Sequence, residues 1–164
     1  MPLITIGENE WRQGRGQAND RLCTVVTWGA FVAIYNKATK EGGMGHFIPA
    51  ASPNRAGIQA LFDAMIGDGS HSTDLVLWMG GAALPNRQDS TFSSGSTLSV
   101  NSQRQLVNQL RKLVEITWQG YRGLHPADNF IAWAANGHQN TVQLDCLDGQ
   151  WHREAVLLAD QSLK

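Results

Sequence analysis

The side chain best placed to do chemistry is His46, which closes the run Gly42-Gly-Met-Gly-His-Phe-Ile-Pro49. Imidazole is the side chain whose ordinary pKa lets it exchange a proton near neutral pH. Three glycines within four residues argue for crowding or unusual backbone geometry just before it. Hydroxyls stand in the flanking sequence at Thr24, Thr27 and Ser52. A hydroxyl attacks only when a base takes its proton, and nothing beyond nearness in sequence marks Thr27 or Ser52 for that role. The two thiols, Cys23 and Cys146, are too few for a disulfide scaffold and lack the paired spacing of metal ligands. Both read as small buried hydrophobes of a reducing compartment. His125, His138 and His152 form no metal site in this reading, because strands and turns spread them over roughly 20 Å. No phosphate-binding loop, dinucleotide fingerprint, His-Glu-x-x-His or calcium-loop pattern occurs, so no cofactor and no metal is expected.

The elements that must position these residues are legible in outline. Leu3 to Ile6 reads as a short strand, and the polar, glycine-punctuated residues 8–21 read as a loop. Leu22 to Trp28 and Phe31 to Tyr35 are apolar runs of the kind that suits strands covered on both faces, broken by Gly29-Ala30. A helix is predicted from Pro53-Asn-Arg, with Ile58, Leu61, Phe62, Met65 and Ile66 on one face and Gly67 and Gly69 ending it. Leu75 to Met79 is a further buried strand that runs into Gly80-Gly-Ala82. Residues 85–100 read as a long Ser/Thr-rich loop of the sort that is functional or disordered. Ser102 and Gln105 have capping-box spacing ahead of a helix that buries Leu106, Val107, Leu110, Leu113 and Val114. The last third reads as an antiparallel meander. Asn129 to Ala135, an Asn136-Gly137 hairpin, Thr141 to Leu147 with Val142, Leu144 and Cys146 on one face, an Asp148-Gly149 turn and Trp151 to Leu158 make it up.

The sum is one α/β domain over residues 1–164, a layered sandwich of N-terminal strands, two helices and C-terminal strands, with two sheets around one helical layer as a candidate arrangement. Residues 160–164 are expected to fray. A length of 164 residues and 42% hydrophobic content suit a single core, and 16% charged residues exclude a disordered chain or coiled coil. A net charge of −1 gives no electrostatic footprint for nucleic acid. The start, Met1-Pro-Leu-Ile-Thr-Ile-Gly-Glu, has no basic leader before an apolar run, and no stretch reaches the ~20 apolar residues of a membrane span, so a cytoplasmic location is expected. Of the six tryptophans, Trp28, Trp78, Trp118 and Trp133 sit in apolar runs and read as core, whereas Trp11 and Trp151 are the candidates for exposure.

The run Thr24-Val-Val-Thr-Trp-Gly-Ala-Phe-Val-Ala-Ile-Tyr35, followed by Gly42-Gly-Met-Gly-His46 and Pro49, resembles the CheD family, the glutamine deamidases of bacterial chemoreceptors. Members carry a Thr, then Gly-Ser-Cys-Val in a strand pair, then Gly-Gly-Met-x-His and a Pro, and later a strand that ends in Gly-Gly-Ala, here Leu75 to Ala82. Element order agrees over nearly the whole chain, while the motif matches are confined to residues 24–49 and 75–82. The resemblance implies a CheD-like fold in which a cysteine thiolate attacks a glutamine side-chain amide, ammonia leaves and water hydrolyses the thioester, with a histidine as base. His46 falls on the family's histidine, and Thr24 or Thr27 near its threonine.

The nucleophile departs from the pattern. Gly29-Ala-Phe-Val32 stands at Gly-Ser-Cys-Val, so Phe31 replaces the cysteine, and an aromatic ring has no lone pair with which to begin the reaction. Cys23, eight residues before Phe31, lies up to ~26 Å away along an extended chain. Two functions follow. One is a catalytically degenerate relative, a binding module whose pocket of Phe31, Gly29, His46, Gly43, Gly45, Gly80 and Gly81 holds a protein or peptide ligand such as a glutamine-bearing segment. The other is an amide hydrolase that uses Cys23, Thr27, Ser52 or a water activated by His46. In the plain structural alternative His46 is a buried histidine whose ring nitrogens are satisfied by neighbouring backbone. The residues do not specify an oligomeric state.

Overall fold

The computed structural model describes residues 3–26, 29–49, 54–66, 74–81, 100–119 and 138–157. Among them the chain forms β1 (Leu3–Thr5), β2 (Glu10–Arg15), a 3-10 turn (Gly16–Ala18), β3 (Arg21–Val26), β4 (Ala30–Asn36), β5 (Glu41–Phe47), α1 (Arg55–Met65), β6 (Leu75–Gly81), α2 (Val100–Gln119), β7 (His138–Asp145) and β8 (Gln150–Leu157). The first sheet runs β1-β3-β7-β8 and the second β2-β5-β4-β6. Every pairing is antiparallel except that of β1 with β3.

All seven residues of β4 are buried, because the strand is covered on both faces as its unbroken apolar run predicts. Phe31, Ala33 and Tyr35 face the first sheet and pack with Leu22, Val26, Met44, Val142, Leu144 and Cys146. Ala30, Val32 and Ile34 face the other way, onto Ile58, Leu61, Phe62 and Met65 of α1 and Val107, Leu110, Leu113 and Val114 of α2. The molecule is therefore an α/β sandwich with the layer order sheet, sheet, helices. The helices cover the outer face of the second sheet and do not lie between the two sheets. Each large apolar side chain buried in these two cores contributes about 1.5–3 kcal/mol.

Several local expectations change. Residues 8–21 contain β2, whose sequence Glu-Trp-Arg-Gln-Gly-Arg shows no alternation; its pairing with β5 from Glu10↔His46 to Arg15↔Glu41 is what makes it a strand. β3 is covered on one face only, since Leu22, Thr24 and Val26 point inward while Val25 is exposed. The glycine run is strand β5, and of the two reasons offered for its glycines it is crowding that applies: a Cβ on Gly43 would come within 2.7 Å of the Met65 side chain. α2 begins at Val100, so Ser102 lies inside the helix and the Ser102–Gln105 pair is not its N-terminal cap. β7 and β8 form the expected hairpin through Asp148-Gly149. Gly67, Gly69, residues 85–99, Asn129 to Ala135, the Asn136-Gly137 turn and the tail 160–164 lie outside the described residues. Among the described residues no helix is long and apolar enough to cross a membrane.

The β7–β8 turn is tied to the second sheet by one side chain. The Tyr35 hydroxyl donates to the Cys146 carbonyl at 2.8 Å. The Tyr35 ring lies against Gly149, which has φ of 74° and would place a Cβ 2.5 Å from that ring. Gly149→Ala thus combines a left-handed backbone with a steric overlap and is expected to cost about 2–3 kcal/mol. A denaturant titration should show a lowered midpoint at unchanged slope; an unmoved midpoint would mean the ring does not rest on the turn.

Candidate functional site

Register places the site. In the second sheet Glu10 of β2, His46 of β5, Phe31 of β4 and Gly80 of β6 are consecutive cross-strand partners. Directly opposed residues share a face, so the imidazole and the Phe31 ring stand side by side, toward the first sheet. From that sheet Thr24 reaches across the gap, with its Oγ1 3.0 Å from His46 Nδ1. Both side chains are buried. The strand end that carries His46 is pinned by its neighbours. Asn9 N donates to the His46 carbonyl at 2.6 Å, Ile48 N to Asn9 Oδ1 at 3.2 Å, and Asn54 Nδ2 to the Ile48 carbonyl at 2.9 Å.

The hydrogen bonds fix the tautomer. Thr24 Oγ1 also lies 2.9 Å from the Ile6 carbonyl oxygen, which can only accept. The single hydroxyl hydrogen is spent there, so the contact with His46 must run from Nδ1–H to Thr24 Oγ1. Nε2 is left with its lone pair and has no hydrogen-bond partner among the described residues. It faces Gly29, where a Cβ would lie 2.6 Å from it. Burial lowers the His46 pKa to about 4. The ring is neutral at pH 7, a hydrogen-bond acceptor aimed past a glycine.

The remaining candidates fall into place around this pair. Gly29 borders the imidazole, and Gly81, with φ of 81°, packs on the Gly29 carbonyl. Gly43 and Gly45 lie on the opposite face of β5, toward Leu61 and Met65, and so do not line a pocket with His46. Cys23 alternates with Leu22 and Thr24 and points out of the sandwich, away from His46, which removes it as a substitute nucleophile. Burial pushes its thiol up. Cys146 packs near Gly42, roughly 13 Å along β5 from His46, and burial together with Asp20 and Asp145 raises it to about 11. Thr27, Ser52 and His125 lie outside the described residues. His152 is exposed and lies 3.7 Å from Asp145, while His138 begins β7, opposite Leu157. Among the described residues no cluster of His, Cys, Asp or Glu could hold a metal. A surface hollow of about 440 Å³ by Thr141, Gln143, Trp151 and Arg153, and another of about 160 Å³ by Asp20, Arg21, Asp145 and Asp148, are not lined by His46.

Sequence reasoning missed the residues that close the site on its far side. Trp151 is half-buried, not exposed, and stacks on Phe31 with ring centroids 5.3 Å apart. Its ring also stacks on Trp78 at 5.2 Å and 9°. Trp78 is likewise half-buried, and Trp11 packs against the helical core. Trp28, Trp133 and the Trp118 side chain lie outside the described residues. No local signal joins residues 31, 78 and 151; only the pairing of β4 with β6 and the stacking of the two sheets bring them together.

No family model matches the sequence, and no curated protein matches it. Among solved structures the chain is similar to the hypothetical protein YfiH of Bacillus licheniformis, at 15% identity and a TM-score of 0.37, over 70% of this chain and 46% of that one. It is also similar to a Neisseria meningitidis protein described as DUF152, at 8% identity and a TM-score of 0.40, over 83% of this chain and 64% of that one. The chain thus spans less than two thirds of the length of both. Neither is described as a chemoreceptor deamidase, and likenesses this distant carry no functional argument.

The site makes stability depend on pH. Unfolded, His46 takes up a proton below about 6.5; folded, it does so only near 4. The unfolded chain therefore binds more protons between these values, and stability falls by about 3 kcal/mol as pH drops from 6.5 to 4. Denaturant titrations across that window should show the loss in the wild type and a flatter profile in His46→Gln. Equal slopes would place His46 in a solvated environment.

Proposed function

We propose that this chain is a binding module related to the chemoreceptor glutamine deamidases, one that holds a protein or peptide segment without converting it. The observation that carries this reading is the hydrogen-bonded Thr24–His46 pair beside Phe31. The base and its orienting hydroxyl stand together, and the register position opposite the imidazole holds a ring that is fully buried and stacked on Trp151. Neither thiol lies within reach of that imidazole. Without a nucleophile the amide would be bound through the imidazole and left intact.

The second reading, an amide hydrolase that works through a water on His46 or through the hydroxyls of Thr27 or Ser52, draws support from the free lone pair of Nε2. Magnitude weighs against it. A base whose conjugate acid has a pKa of about 4 takes a proton at pH 7 at a cost of about 4 kcal/mol, far from the match to working pH that general-base catalysis favours.

The deciding measurement is ammonia release from glutamine-containing peptides. None above background is expected from the wild type; release that disappears in His46→Ala would establish the hydrolase instead. Geometry is checked separately with a thiol at position 31. Phe31→Cys should react with a thiol reagent at neutral pH faster than the double variant Phe31→Cys, His46→Gln. Equal rates would mean that position 31 does not face the imidazole.

A further inference from the structure

We infer that the free edge of β8 pairs with β8 of a second copy of this chain, antiparallel and centred on His152, to make a symmetric dimer. β8 ends the sheet β1-β3-β7-β8, so among the described residues it has a neighbouring strand on one side only. The other side presents unpaired N–H and C=O groups, a template for another strand. Gln150, His152, Arg153 and Glu154 are exposed and Trp151 is half-buried, so this edge is open. β6, at the margin of the other sheet, differs: Leu75, Leu77 and Met79 are at most 3% exposed. The inference is independent of what His46 binds.

The chemistry of β8 selects its own copy. Trp151 opposes Leu144 and Arg153 opposes Val142, so both lie on the row that faces the second sheet. Gln150, His152 and Glu154 lie on the outer row, opposite Asp145, Gln143 and Thr141. A two-fold axis normal to the sheet keeps each row on its own side, so it must pass through a residue, not between two. Through His152, the axis sets Arg153 opposite the partner's Trp151 and Gln150 opposite the partner's Glu154, each twice. The arginine stem and guanidinium then cover the exposed part of a half-buried indole, and a carboxamide donates to a carboxylate. Through Arg153 the axis would oppose two guanidinium groups, and through Glu154 two carboxylates; like charges directly opposed are destabilising. Through Trp151 it would leave only Gln150 to His152 of the strand paired. Arg153 also discriminates against other strands. A charge on the inner row of an edge strand is left uncompensated by an arbitrary partner, whereas a second β8 supplies the ring that receives it.

The test is sedimentation velocity of the full chain from about 1 μM to 1 mM. Expected is a reversible shift from one chain mass to two within that range, as suits a small interface. Arg153→Ala should weaken the dimer about tenfold, the scale of two lost cross-strand pairs, and Arg153→Glu should abolish it. Gln150→Lys should tighten it by setting an ammonium opposite each Glu154. Register is read by cross-linking in a Cys23→Ser background. On the axis, opposed Cα atoms lie about 5 Å apart, within disulfide reach. One residue off the axis, a position meets its own copy at about 8 Å, beyond that reach. His152→Cys should therefore link two chains under mild oxidation, and Arg153→Cys should not. A chain that stays monomeric at every concentration would overturn the inference and leave the edge to a strand of another protein. A dimer indifferent to Arg153→Glu, or a link that forms faster at position 153 than at 152, would overturn it as well.

Discussion

The structure depends on a short chain of hydrogen bonds that crosses the gap between two sheets, from His46 Nδ1 through Thr24 Oγ1 to the Ile6 carbonyl. Packed sheets lie about 10 Å apart, and side chains from both fill the space. Two polar side chains in that layer are tolerable only because each finds its partner there. Thr24 belongs to β3 and His46 to β5, so the relative position of the two sheets at this point is set to the accuracy of a hydrogen bond. The same bonds decide which ring nitrogen carries the proton, and hence what the imidazole can do.

Phe31 makes the arrangement one-sided. On its β5 side it stands against His46, and on its β6 side it meets Gly80, which contributes no side chain to the row. Trp151 enters from the first sheet and stacks on Phe31 and Trp78. The gap between the sheets is thus polar and directional at the Thr24–His46 end and filled by aromatic rings at the β6–β8 end.

How much of this could be read from residues alone follows from the range of the interactions. Helices α1 and α2 announce themselves because their packing faces repeat within a few residues, and β4 and β7 because an unbroken apolar run and a clean alternation are local patterns. β2 escapes, since Glu10 to Arg15 become a strand only through backbone pairing with β5, some thirty residues on. The glycine run signals crowding without naming its cause, since Met65, which excludes a side chain at Gly43, comes from a helix further along the chain. For the site, the run around Thr24, Phe31 and His46 already holds the participants. The alternation of Leu22, Thr24 and Val26 even contains the information that Cys23 must point away. The acceptor at Ile6 and the cover at Trp151 have no such trace, because they come from strands whose neighbours are chosen by the fold.

The two ends of the inter-sheet gap differ in what holds them. The ring stack relies on removing apolar surface from water, a driving force that fades on cooling, whereas the Thr24–His46 contact is polar and does not share that weakening. Among the described residues β6 and β8 each lie at the margin of their own sheet, and no backbone ladder joins them. Cooling therefore weakens the ring stack at the β6–β8 side of the gap more than it weakens the Thr24–His46 side.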